Sequence, residues 1–214
     1  MASEPVVTRS HECTSREPCR LNGFCGRNLS EMADEIVAQH HSYLRRELPR
    51  LKQLLDRAVL ESGGRGAELR VLKETFDQFF PEVLMHMDRE EQILFPLIHE
   101  LHLAQTQPGV YGGGLDAVMV QLQHDHTLID SAMTRFRNLT DNYKPAFGAC
   151  APYREFVAAL PALEAEFGVH TIKEDRYLFP RARACQTALL NSGDSVQPLL
   201  GRSLPLRLGN RGLT

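Results

Sequence analysis

His86-Met87-Asp88-Arg89-Glu90-Glu91-Gln92-Ile93-Leu94-Phe95-Pro96 and His170-Thr171-Ile172-Lys173-Glu174-Asp175-Arg176-Tyr177-Leu178-Phe179-Pro180 are two copies of one pattern, H-x3-E-[ED]-x2-L-F-P. On a helix, a residue and the one four later share a face. Each copy therefore offers an imidazole and a carboxylate to the same point. The apolar residues around each copy recur at spacings of three and four. Phe79, Val83, Ile93 and Leu97 flank the first copy; Phe156, Leu160, Leu163, Phe167 and Tyr177 flank the second. Such a seam faces a core, so each copy puts a polar pair where apolar side chains belong. A buried carboxylate is costly unless it is paired or bound to a metal.

Two more seams are interrupted in the same way. Val37, Leu44, Leu48, Leu51 and Leu55 are broken at His41, and Val118, Leu122, Ile129, Met133 and Phe136 at His126. The spacing predicts helices over 30–61, with Ser30 as N-cap, and over 67–102, bent near Pro81 and Pro96. Two more are expected, over 115–141 and from Pro152 toward 190. Gly63-Gly64-Arg65-Gly66, Gly109 with Gly112-Gly113-Gly114, and Pro145 with Gly148 separate them. Short connections make antiparallel neighbours. The expected fold is all-α, an up-down-up-down four-helix bundle over 30–190. Residues 1–29 read as a flexible cysteine-containing arm and 191–214 as a loose tail. At ~1.5 Å rise per residue, the interrupting groups of all four helices fall in one layer.

A single histidine on an apolar seam is more often a satisfied core residue than a ligand. Six groups on four seams at one height, with a duplicated motif among them, point instead to a metal centre. The candidate ligands are His41, His86, Glu90, His126, His170 and Glu174. Imidazole with carboxylate suits iron, zinc or manganese, and the absence of cysteine from the layer argues against structural zinc. Two metals sharing bridging carboxylates would use all six groups. His40 lies off the seam and reads as a residue of the surroundings or the surface. His124 competes with His126, which the seam favours. His99 and His102 read as solvated helix-end residues, and Glu91 and Asp175 as exposed. Tyr43 and Tyr177 are explained equally by ring packing and by a hydrogen bond near the metals. Cys13, Cys19 and Cys25 match no common zinc or cluster spacing and read as reduced thiols on the arm.

The 214 residues suit one domain with tails. With 24 basic and 27 acidic side chains, the formal net charge is −3. That balance leaves no electrostatic footprint for nucleic acid or an anionic membrane. No run approaches the ~18 apolar residues of a membrane span, and the first thirty residues lack a signal-like apolar core. A cytoplasmic location is the expectation. Five cysteines without an export signal make a disulfide framework unexpected.

From about Ile36 to Ala182 the chain resembles the hemerythrin-like superfamily, and within it the Repair of Iron Centres proteins. The resemblance is carried by His40-His41-Ser42-Tyr43-Leu44-Arg45-Arg46-Glu47-Leu48-Pro49-Arg50-Leu51 and by His86-Met87 with Glu90-Glu91 leading into Ile93-Leu94-Phe95-Pro96. Leu139-Thr140 with Tyr143, Ala149-Cys150, and His170 through Leu178-Phe179-Pro180-Arg181-Ala182 complete it. It implies two non-haem iron ions bridged by carboxylates, and a role in restoring iron–sulfur clusters damaged by oxidative or nitrosative stress. Damaged iron–sulfur proteins would then be the partners. Binding or sensing of oxygen or nitric oxide, and iron storage, are the alternatives; none of the three is an enzyme of the ordinary kind. The family pattern includes a fifth histidine that aligns with Ser62, with Glu61 as the nearest substitute, which implies an open position at one iron. The small N-terminal domain of many relatives has no counterpart of comparable size in residues 1–29.

Overall fold

The computed structural model describes residues 23–62, 66–106, 114–146 and 148–191. They form four helical rods: α1 (29–61), α2 (67–106), α3 (115–139) and α4 (151–191). α1 begins one residue before the expected Ser30. Asn28 is the N-cap: its side chain accepts from the Glu31 N–H while Glu31 reaches back to the Asn28 N–H, a capping box. Ser30 lies inside the first turn.

The rods pack as an antiparallel bundle. The later part of α1 lies against the early part of α4, where Cys150 Sγ approaches Ala58 O at 4.0 Å. The first turns of α1 lie against the far end of α2. Two apolar cores result. One is built around Leu44, Leu48, Phe76, Phe136, Phe156 and Phe167. The other holds Phe24, Met32, Ile36, Leu94, Leu122 and Phe179. Between them, at the height foreseen from the seams, lie the buried polar groups.

Three of the rods are not uniform. α1 contains a π-helical turn at Val37–His41, α2 one at Glu90–Leu94 and α4 one at Glu174–Leu178. Each holds an extra residue, a device that recurs at functional sites. Pro96 and Pro180 follow two residues after the turns in α2 and α4, where the missing N–H falls on an already loosened ladder. Pro81 sits within an unbroken α-helical stretch. The extra residue changes the register. Ile93, expected on the core seam, is 45% exposed, and Leu94 with Phe95 takes the buried positions.

The packed region also starts earlier than the expected arm boundary. Phe24 is fully buried in a 3₁₀ turn, Phe24–Gly26, and meets Tyr177 edge-on. Arg181 donates to the carbonyls of Cys25 and Arg27. Cys25 is disulfide-bonded, contrary to the expectation of a reduced thiol. Cys13, Cys19 and the expected tail lie outside the described residues.

Candidate metal centre

The structure brings all six predicted side chains together, from all four rods. Two groups of four can each surround an ion: His41, Glu90, His170 and Glu174 form one; His86, Glu90, His126 and Glu174 form the other. Within each, the donor atoms all lie within 4.8 Å of one another. Glu90 and Glu174 belong to both groups, and each divides its oxygens between them. Glu90 Oε2 lies 3.0 Å from His41 Nε2, and Glu90 Oε1 lies 3.4 Å from His86 Nε2. Glu174 Oε1 lies 3.0 Å from His170 Nε2, and Glu174 Oε2 lies 3.0 Å from His126 Nε2.

The donor set fits a cation on grounds of unmet bonding. His41 Nε2, both nitrogens of His86, both oxygens of Glu90, His126 Nε2 and Glu174 Oε2 are buried without a hydrogen-bond partner. Each such group left unsatisfied costs about 1–3 kcal/mol, and native interiors hold few of them. Cations between the two carboxylates would satisfy this convergent set together.

Charge in the metal-free cluster is distributed unevenly. Burial, with the adjacent Glu174 charge, pushes the Glu90 carboxyl well above the usual carboxylate range. Burial would raise Glu174 too, but His170 and His126 outweigh it and hold Glu174 well below that range. Burial also opposes charge on His126, yet its hydrogen bond to Asp175 and the adjacent Glu174 carboxylate raise it to about 10. His41 is lowered to about 4 by burial and by His170, which outweigh Glu174 and Glu91. Burial likewise lowers His86, against the pull of Asp125. A cation entering between these groups would therefore displace protons.

Glu91 and Asp175, expected to be exposed, are half-buried and act on the site. His41 Nδ1–H donates to Glu91 at 2.8 Å, and His126 Nδ1–H donates to Asp175 at 3.0 Å. A carboxylate on the far nitrogen fixes a ring's tautomer and orientation and strengthens its donor nitrogen. Arg45 pairs with Glu91 at 3.0 Å. The acidic residue after each motif glutamate was the sequence signal for this role, since both copies of the repeat carry it. Asp125, unremarked in the sequence, lies 3.6 Å from His86 Nδ1 and pairs with Arg89. These two line one side of a cavity of about 190 Å³ with Glu82, Met85, Leu128 and Ile129.

His126 is buried and His124 exposed, as the seam favoured. His40 is buried rather than on the surface, stacked on His170. His99, expected to be solvated, is partly exposed and lies 3.4 Å from Asp34. Tyr177 packs on Phe24, and Tyr43 lies under Arg46; neither hydrogen-bonds the six groups. Ser62 is nowhere near them. It ends α1, donating from Oγ to the Val59 carbonyl, 21 residues past His41 and so about 30 Å along the axis. Glu61 beside it pairs loosely with Arg57.

A four-helix bundle whose paired histidine–glutamate motifs converge on one buried layer defines a class, the metal-cation-binding bundles. The chain belongs to the hemerythrin HHE cation binding domain family, whose family model matches residues 32–182. It is 32% identical over 154 residues to the iron-sulfur cluster repair protein YtfE of Edwardsiella ictaluri (strain 93-146), covering 72% of this chain and 66% of that protein. It is 26% identical over 166 residues to the iron-sulfur cluster repair protein YtfE of Yersinia pseudotuberculosis serotype O:1b (strain IP 31758), covering 78% and 71%. The protein of the same name from Yersinia pestis (strain Pestoides F) matches to the same extent. Among the described residues, no helix is long and apolar enough to cross a membrane.

Proposed function

We propose that the chain is a non-haem di-iron protein that takes part in repairing iron–sulfur clusters damaged by oxidative or nitrosative stress. The observation that carries the di-iron reading is the sharing of Glu90 and Glu174 between two four-donor groups. His41 and His170 would hold one iron, His86 and His126 the other, with both carboxylates bridging. Imidazole and carboxylate without thiolate suit iron in this geometry. The repair role is supported by the names of the relatives, and damaged iron–sulfur proteins would be the partners. When bound, iron supplies redox chemistry and an exchangeable ion. The protein's own part is to hold the pair in a buried layer between two apolar cores.

A second reading, binding of oxygen or nitric oxide, is favoured by one feature. Four protein donors per ion leave room for a small ligand. Anaerobic iron reconstitution followed by elemental analysis should give about two irons per chain. Mixing that protein with an oxidatively damaged iron–sulfur enzyme should restore the enzyme's activity faster than free ferrous iron does. A single bound zinc, or no uptake of iron, would end the di-iron proposal. Two irons with an optical response to nitric oxide but no reactivation would favour the second reading.

A further inference from the structure

Beside the six donors lies one more buried imidazole. His40 meets Glu166 through Nδ1 at 2.5 Å, and its Nε2 is buried without a partner. Its ring is parallel to that of His170 to within 2°, with centroids 5.3 Å apart. Glu166 and His170 are four residues apart on α4 and so share a face. Glu166 thus holds His40 against His170 from one turn below.

The four candidate imidazoles are not supported alike. His41 has Glu91, His126 has Asp175, and His86 faces Asp125. Among the described residues His170 has no hydrogen-bond partner at Nδ1, and its contacts with Glu90 and Glu174 run through Nε2. The internal repeat gives the contrast its meaning. His86 and His170 open the two copies of the motif, and Asp125 precedes His126 as His40 precedes His41. One half of the bundle sets an acid behind its motif histidine; the other sets an imidazole there.

We infer that His40, held by Glu166, is a positioning residue for His170 and that the His41–His170 position is consequently the more readily emptied of the two. This rests on the two-iron reading. A carboxylate on Nδ1 both orients a ring and strengthens its opposite nitrogen as a donor. A stacked ring fixes the plane without supplying that charge. His170 is therefore well placed but a weaker donor than His126, and the ion it holds leaves first.

The test uses the full chain loaded anaerobically with ferrous iron and challenged with a bipyridine chelator, release being read by absorbance. Wild type should lose iron in two steps of equal amplitude. His40→Ala should speed the first step by about 10-fold and leave the second unchanged. His40→Phe, which keeps a ring to stack, should recover most of the wild-type rate. Asp175→Asn should speed only the second step. If His40→Ala fails to fold by circular dichroism, Glu166→Gln should speed the first step alone. Release of both irons together, an unchanged first step in His40→Ala or its replacement, no recovery in His40→Phe, or Asp175→Asn acting on the first step would each overturn the inference. Uptake of fewer than two irons by wild type would overturn it together with the di-iron reading. Two irons with the wrong steps would overturn it alone.

Discussion

Ser62 is where alignment and geometry part. A histidine there would lie about 30 Å from the candidate centre, so Ser62→His should change neither iron content nor chelator release. A merging of release steps in that variant would show that the end of α1 reaches the site. His126→Ala should remove iron from its position, whereas exposed His124→Ala should leave metal content unchanged; elemental analysis distinguishes the two. Charge gives a further expectation for the metal-free protein. His126 titrates at about 10 when folded and near its ordinary 6.5 when unfolded. Its contribution is complete below 6.5 and is lost as pH rises toward 10. His41, lowered to about 4, stays neutral in the fold while the unfolded chain takes up a proton, so stability also falls as pH drops from 6.5 toward 4. Urea unfolding across pH should show both losses, and Asp175→Asn should weaken the alkaline one. A flat profile would mean that the two histidines do not carry these shifts.

At the scale of the helix, the π turns decide what was legible and what was not. The convergence of the six candidate ligands could be read because each replaces an apolar side chain in a seam of ordinary helical period. The residues just past them could not, because that period has no place for an extra residue. Ile93 therefore looked buried and is not, while Leu94 is. Glu91 and Asp175 looked exposed for the same reason, although within the turns they face the Nδ1 atoms of His41 and His126. Phe24 was hidden by its short polar surroundings, where no periodicity marks a single buried ring. If the extra residue serves the site rather than the fold, deleting Ile93 should restore a regular helix with Leu94 and Phe95 still facing the core. Helicity by circular dichroism should be retained while iron content drops. Iron uptake equal to that of wild type would mean that the turn at Glu90–Leu94 has no part in placing Glu90 and Glu91.

Across the whole molecule, the polar layer cuts one bundle into two apolar cores, and the two sides of the cut do not depend on metal equally. The core around Phe76 is self-sufficient: Phe76 touches Phe79, Phe80, Phe136 and Phe156 ring to ring. Phe76→Ala should cost about 3–5 kcal/mol whether or not iron is bound. The layer itself has no such reserve, since most of the atoms it turns inward are buried without a hydrogen-bond partner. The buried pair Lys173–Glu35, at 2.7 Å and shared with Arg27, links α4 to α1 across the upper edge of the layer, but it satisfies none of the six donors. Metal binding stabilises only the state that presents the site, so its removal should be felt first where the donors sit. Hydrogen exchange of the metal-free chain should accelerate at the amides of Val37–His41, Glu90–Leu94 and Glu174–Leu178, while those beside Phe76, Phe136 and Phe156 stay protected. Local opening of this kind is expected where few apolar contacts hold a segment. Equal acceleration along all four rods would show instead that the two cores fold as one unit and that the metal centre stabilises the bundle as a whole.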